Sequence, residues 1–318
     1  MKKAGILINP NSGRGNGLGL ALAERFGHNK NVILSVLQDF SDLLPNLYEM
    51  AKHDVTDLFI SSGDGTVHAV QTMLAEKAIF KTLPRLCLLP HGTTNLTAAD
   101  IGFRQTKITA QVDFINALAF SDLRIRPTIR VLNAKDGIIR HGMSLGSGAA
   151  AAATRYAQIA FNDRGVKGNF ANFAIIAGGI AKTMLLPTNN NDPTRFDNPH
   201  EIAVHHNGIT ICQGPQLMTI STTLEKLFFN TKPFWGGKTG AIRTSIFPYP
   251  VPNLLRWLKP MLYGDERRKV PSGAISFSAD QFEIAAAEPF VIDGEFFEGP
   301  AQGLLKVETG PAFTYICA

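Results

Sequence analysis

Leu58-Phe59-Ile60-Ser61-Ser62-Gly63-Asp64-Gly65-Thr66 is the stretch on which the reading of this chain turns. Three apolar residues close a buried strand. Two glycines then flank one carboxylate, and Thr66 opens a helical pattern that runs to Ala78. Glycine allows backbone angles closed to other residues and lets a ligand approach the main chain. The helix N-terminus beyond it offers N–H groups and a partial positive charge, both suited to phosphate. A carboxylate beside bound phosphate can orient Mg²⁺ or take a proton from an attacking hydroxyl. Asp-Gly is also an ordinary turn signal, so the stretch needs company before it carries a function.

Working outward, residues 4–8 read as a buried strand, followed by a Gly-rich turn, Asn9-Pro10-Asn11-Ser12-Gly13-Arg14-Gly15-Asn16-Gly17, and a helix from about Leu18. Ile33 to Leu37 reads as a strand and Leu43 to Ala51 as a helix. Leu86 to Leu89 is another buried strand, ending in Pro90-His91-Gly92-Thr93-Thr94-Asn95 with helical sequence beyond. Strands alternating with helices predict a Rossmann-like α/β domain with a parallel sheet, in which ligands bind at the C-terminal strand ends. Three polar turns fall at three such ends and point to one phosphate-binding crevice.

Near Leu123 to Arg126 the pattern changes. Asp136-Gly137 and Asn207-Gly208 are each flanked by β-branched runs, which predicts hairpins. Ile275 to Ser278 and Phe282 to Ile284 alternate like half-buried strands. The expected organisation is an α/β nucleotide-binding domain over residues 1–125 and an antiparallel, β-rich domain over 126–318. One helical insertion is expected in the second, from about Ala149 to Leu185.

The composition allows this. A chain of 318 residues with 45% hydrophobic and 18% charged residues is a folded protein long enough for two domains. A net charge of +5 suits anionic partners, but no Lys/Arg block of the kind that binds nucleic acid is present. Cys87, Cys212 and Cys317 show neither metal spacing nor a disulfide framework, which predicts a reducing, cytoplasmic setting. The apolar run 4–8 is too short for a leader, and Phe170 to Leu186 is broken by Asn172, two glycines and Lys182, so no membrane span is expected.

The turns resemble the motifs of the diacylglycerol kinase and sphingosine kinase superfamily. Ser62-Gly63-Asp64-Gly65-Thr66 is similar to its (G/S)GDGT signature and Asn9-Pro10-Asn11-Ser12-Gly13 to its NPxxG turn. Pro90 to Asn95 is similar to its PxGTxN motif, and Asp293-Gly294-Glu295 to its C-terminal DGE. The resemblance implies Mg·ATP-dependent phosphorylation of a lipid hydroxyl. Diacylglycerol is the default substrate, and a sphingoid base or ceramide is the alternative. Asn9, Pro10, Ser12, Gly13, Ser62, Gly63, Gly65, Thr66, Gly92, Thr93, Asn95 and Asp293 would serve the nucleotide. Asp64 and Glu295 would be catalytic, Asp64 orienting Mg²⁺ held on the ATP phosphates or activating the acceptor, and Glu295 serving as general base. The implied partners are ATP and a lipid presented at a membrane surface, with peripheral membrane association; no nucleic acid is expected, and a homodimer stays open. Nicotinamide-dinucleotide kinases share GGDGT but not PxGTxN, and rank lower. The chain departs from the pattern at His68-Ala69, at Leu96, and at Lys238-Thr239-Gly240, where the family's carboxylates for a second Mg²⁺ site are replaced. His68 and His91 flank the proposed turns, in supporting or solvent positions.

Two further features compete. Gly142-Met143-Ser144-Leu145-Gly146 matches the nucleophile elbow of serine hydrolases, with Asp192 or Asp197 and His200, His205 or His206 downstream. A catalytically silent lipid or nucleotide binder is the third class. Leu254, Leu255, Leu258, Met261 and Leu262 form an apolar stripe beside Arg256 and Lys259, suited either to a membrane surface or to the core.

Overall fold

The computed structural model describes residues 2–93, 95–164, 178–179, 192–264, 266–286, 289–300 and 302–317. Thr94 and nearly all of the expected helix beyond Arg164 lie outside them. The chain forms two compact units, one of residues 1–128 with 311–318, the other of residues 129–310.

In the first unit the apolar runs become a parallel sheet. Strands β1 (Ala4–Ile8), β2 (Val32–Val36), β3 (Asp57–Ser62) and β4 (Arg85–Pro90) lie in the order β2-β1-β3-β4. β1 and β3 are buried along their whole length, which is why they read as unbroken apolar runs. Helices α1 (Gly17–Phe26), α2 (Leu43–Lys52) and α3 (Asp64–Glu76) come after β1, β2 and β3; α4 (Leu96–Ile101) and α5 (Ile108–Ala117) come after β4. Ile6, Ile8, Phe59, Cys87 and Leu89 pack with Leu22, Phe26, Ile115 and Phe120 in one core cluster. Val67, Val70, Gln71 and Leu74 form the buried face of α3. Register sets where the strands end: Ile8 pairs with Ser61 and Ser62 with Pro90. The ends of β1, β3 and β4 therefore lie side by side. The chain leaves β1 for β2 on one side while β3 lies on the other, the switch point at which open α/β sheets place their ligands.

The second unit is antiparallel. β5 (Leu123–Leu132) runs across the expected boundary at 125 without a break and leads into β6 (Arg140–Gly142), β7 (Ser144–Gly148) and α6 (Ala149–Arg164). Then come β8 (His200–His206), β9 (Ile209–Thr222), β10 (Ile242–Pro248), α7 (Leu254–Tyr263), β11 (Ile275–Ala279), β12 (Gln281–Ala286), β13 (Phe290–Ile292), β14 (Glu295–Phe297) and β15 (Leu305–Ile316). Neighbours run β14-β13-β7-β9-β8-β12-β15, with β10 bridging β9 and β11. The Asn207-Gly208 hairpin forms with a two-residue turn, both residues at positive φ, and His206 opposite Ile209. The Asp136 hairpin is looser. β6 starts only at Arg140, and Ile138, expected in a strand, stands exposed in the loop. The cause is local: the Asp136 carboxylate accepts from Ile138 N at 3.0 Å and pairs with Arg140, which holds the chain in a turn.

β15 differs from the expected second domain, which ran to the end of the chain. Its first half pairs with β12, Leu305 against Ile284, while Tyr315 pairs in parallel with Leu86 of β4. Tyr315 is fully buried in the first unit, and its hydroxyl accepts from Gln71 Nε2 of α3 at 2.6 Å.

Candidate active site

The first turn leaves β1 at Asn9. Asn9 Oδ1 accepts from Asn11 N at 3.0 Å, and its amide donates to Thr66 Oγ1 at 2.9 Å. Turn one is thereby pinned to the start of α3. Pro10 contributes its carbonyl, which accepts from Asn16 N at 2.8 Å. Ser12 and Gly13 lie in a short 3₁₀ turn, with Gly13 at φ 59°. A Cβ on Gly13 would touch the His91 carbonyl and the Gly92–Thr93 peptide at 3.4–3.5 Å, ordinary van der Waals contact, so it is the positive φ that favours glycine here. Turn two spans Ser62 to Thr66. Ser62 Oγ donates to Thr66 Oγ1 at 2.6 Å, Gly63 caps α3, and Asp64, Gly65 and Thr66 form its first turn. A helix start leaves its leading N–H groups without intrahelical partners. In turn three, Asn95 sits at φ 52°, its amide donating to Gly92 O at 2.8 Å and its Oδ1 accepting from Gly92 N at 2.9 Å.

The turns converge on glycine. A Cβ on Gly63 would lie 3.3 Å from Ser12 Oγ and 3.4 Å from Gly92 Cα, and a Cβ on Gly92 would fall inside the van der Waals envelope of Gly63. Gly13, Gly63 and Gly92 thus bring three main chains together, with Ser12 Oγ and Asn95 Oδ1 beside the contact. Thr93 is exposed beside them, whereas Asn95 spends its side chain on the turn itself.

Asp64 is also spent locally. Its carboxylate accepts from Leu96 N at 3.0 Å and Thr97 N at 3.2 Å, tying turn two to the start of α4. Burial raises its pKa, against the lowering effect of those hydrogen bonds and of others from Thr97 and Asn95. The departure from the family pattern at Leu96 is therefore beside this acid, through the backbone. Among the described residues no group of three or more His, Cys, Asp or Glu could hold a metal ion.

Beneath the turns lies a polar layer that local sequence patterns did not predict. Asn16 Nδ2 donates to Ser61 Oγ and Ser61 O, each at 2.9 Å, and Ser61 Oγ meets His91 Nδ1 at 2.8 Å. Gln111 Nε2 of α5 meets the other ring nitrogen at 3.1 Å. Burial lowers the His91 pKa to about 4. His68 is buried too, on α3. Each side chain was visible in the sequence; the pairing joins residues up to 45 positions apart and leaves no local signal.

Asp293 and Glu295 belong to the second unit. Asp293 (φ 47°) and Gly294 (φ 91°) make a two-residue hairpin between β13 and β14, with Ile292 opposite Glu295. Asp293 is buried. Its carboxylate accepts from Met143 N at 2.9 Å, Ser144 N at 2.8 Å and Ser144 Oγ at 2.9 Å, and its own N–H donates to Ser144 O at 3.2 Å. It is an anchor for the turn, accepting from this unit's own backbone and hydroxyl donors. Glu295, the next residue but one, is exposed. The same bonds correct the nucleophile-elbow reading. Ser144 opens β7, α6 starts only at Ala149, and the Ser144 hydroxyl donates to a carboxylate instead of to a histidine. Asp197, one candidate acid, is paired with Arg195 at 2.8 Å.

At Lys238, where a second metal site was not expected, the chain hugs β11. Gly236 and Gly240 have no room for a Cβ against the backbone at Ser276, Phe277 and Ala279. Gly236 N donates to Ser276 Oγ at 3.2 Å and Thr239 N to Ser278 Oγ at 2.8 Å.

Residues 3–123 match the family model of the diacylglycerol kinase catalytic domain. No curated protein matches the sequence. Among solved structures, one of a diacylglycerol kinase from Bacillus anthracis str. Sterne is similar, with a TM-score of 0.63 at 14% identity over 100% of this chain and 97% of that one. Yeast NADH kinase complexed with NADH is similar at a TM-score of 0.53 and 8% identity, over 100% and 84%. At these identities the likeness is one of fold.

Proposed function

We propose, for a chain whose residues 3–123 belong to the diacylglycerol kinase catalytic-domain family, that it is an ATP-dependent lipid kinase with diacylglycerol as substrate. The convergence of Gly13, Gly63 and Gly92 is the observation that carries the reading. Phosphoryl transfer asks the protein chiefly for positioned phosphates, charge neutralisation and an acceptor held in line. Three backbone turns meeting at glycines suit the first demand. Ser12, Thr66 and Thr93 add hydroxyls at the same strand ends, and residues 1–125 form the nucleotide-binding domain on this reading.

The two acids divide the work. Asp64, which already accepts from Leu96 N and Thr97 N, would be the residue of this chain that orients Mg²⁺ carried by the nucleotide. When bound, the ion would supply charge neutralisation on the transferring group. Glu295 is the general base: exposed, carried on a tight turn that Asp293 anchors. It takes the proton of the lipid hydroxyl as that oxygen bonds to the γ-phosphorus and the bond to the β–γ bridging oxygen breaks, releasing ADP.

Access to a bilayer falls to α7. Leu254, Trp257 and Met261 turn into a core cluster. Leu255 and Tyr263 remain 50% and 53% exposed beside exposed Arg256, Lys259, Arg267 and Lys269. Exposed apolar side chains with exposed cations in the same stretch suit an anionic membrane surface. No helix among the described residues is long and apolar enough to cross a membrane.

The test is transfer of labelled γ-phosphate from Mg·ATP to vesicle-borne diacylglycerol, monoacylglycerol, sphingosine, ceramide and phosphatidylglycerol. Label in diacylglycerol that falls by about 10²- to 10⁴-fold with Glu295→Gln, nucleotide binding being kept, supports the reading. Label in sphingosine or ceramide alone moves the substrate to the alternative. Absence of nucleotide binding overturns the kinase.

A further inference from the structure

None of Asn16, Ser61, His91 and Gln111, the polar layer beneath the turns, is among the residues assigned to the nucleotide, and phosphoryl transfer by the two acids does not use them. We propose that His91 is a positioning residue of the nucleotide site, a neutral brace that holds turns one and three at the spacing a triphosphate needs. This rests on the nucleotide reading of that site.

The hydrogen bonds set the direction of the brace. Gln105 O accepts from Gln111 Nε2 at 2.8 Å, which orients the Gln111 amide. The same nitrogen faces His91 Nε2 at 3.1 Å. An amide nitrogen only donates, so Nε2 accepts and the ring proton sits on Nδ1, a tautomer inferred from these partners. Nδ1 then donates to Ser61 Oγ, which also accepts from Asn16 Nδ2. Asn16 passes the restraint on: its amide donates to Asn9 O at 3.2 Å, and its Oδ1 accepts from Gly19 N at 2.7 Å. One uncharged ring thus links α5, turn three, the end of β3, turn one and the start of α1.

The packing leaves this path little slack. Gly13 abuts the His91 carbonyl, and a Cβ on Gly19 would lie 2.5 Å from both Asn16 Nδ2 and Ser61 Oγ. Gln111 Oε1 is buried without a hydrogen-bond partner among the described residues. An unpaired buried acceptor is a standing cost that an apolar layer would avoid. What a polar layer adds is directional register, since each bond fixes an angle as well as a distance.

His91→Phe removes both ring bonds at similar volume, and His91→Asn keeps a donor able to reach Ser61. Two quantities are read well below the melting temperature: the Kd for Mg·ATP, and hydrogen exchange of the amides in 9–19 and 91–96 of the free chain. We expect His91→Phe to weaken Mg·ATP about tenfold and to speed exchange in both turns, and His91→Asn to recover most of each loss. A His91→Phe protein that melts earlier but binds Mg·ATP within about twofold of wild type, with unchanged exchange, is merely less stable, and the proposal fails. If wild type itself binds no nucleotide, the kinase reading fails, and exchange alone decides whether the brace exists. Should His91→Phe not fold, Gln111→Ala, which removes only the Nε2 donor, is put through both measurements, and the same results support or overturn the brace.

Discussion

Two turns of this molecule are built on opposite plans. The Gly63–Gly92 region presents mainly main chain: apart from exposed Thr93, its side chains are absent or tie one turn to another. The Asp293–Gly294 hairpin presents a side chain: one buried carboxylate anchors the backbone, and an exposed glutamate comes next. A phosphate cradle needs many weak donors at fixed spacing, so it depends on contacts from several distant segments. A base needs one group held out from a rigid support, and a two-residue turn with a single anchor suffices. The first plan should fail collectively and the second locally.

The largest contrast is expected from Gly92→Ala. Its methyl would occupy space held by Gly63 backbone, which cannot withdraw as a flexible side chain could. Overpacking of this kind costs about 3 kcal/mol, and calorimetry should find Mg·ATP binding lost. An alanine that binds ATP normally would show that the turns have freedom to part.

The His91 layer adds a pH signature of similar size to the first unit. Burial holds the ring near pKa 4 against an ordinary value of 6.5, so the unfolded chain takes up the proton first as pH falls. The stability at stake is whole above pH 6.5 and is lost progressively down to about pH 4, roughly 3 kcal/mol at full shift. The raised Asp64 pKa works in the opposite sense, favouring the folded chain at low pH. Denaturant titrations of wild type and His91→Asn between pH 7 and 4 isolate the histidine. Parallel curves would mean that the ring titrates equally in both states.

On the hairpin, Asp293→Ala should leave the Met143 and Ser144 N–H groups unpaired and destabilise the second unit by about 2 kcal/mol. Transfer should fall with it while ATP affinity holds. Lost ATP affinity would return Asp293 to the nucleotide.

The smallest effect on stability is expected from Leu255→Asp, an exposed position that should move it by less than about 0.5 kcal/mol. Binding to anionic vesicles should nonetheless drop, and unaltered binding would remove α7 from the membrane.

Much of the architecture is legible in the sequence. β1, β3 and β4 announce themselves as apolar runs because both faces of a parallel strand are buried. The turns at their ends carry glycine because the conformation or the contact demands it. Asn207-Gly208 and Asp293-Gly294 form their hairpins because positive φ at two successive residues is a local preference. The Asp136 loop escaped that logic because a side chain, Asp136 gripping Arg140, outweighed the turn signal.

What the sequence by itself determined is therefore the set of strands, the turns between them and the chemistry those turns can present, all of which depend on residues within a few positions of one another. Only the tertiary structure decided which of those groups are already committed: Asp64 to the start of α4, Asn95 to Gly92, His91 to Ser61 and Gln111, Asp293 to Met143 and Ser144. It also decided that the last strand ends beside β4, in the unit where the chain began. A carboxylate reads the same in sequence whether its lone pairs are empty or filled. Which it is depends on donors brought from tens of residues away, by a register that no short stretch of sequence encodes.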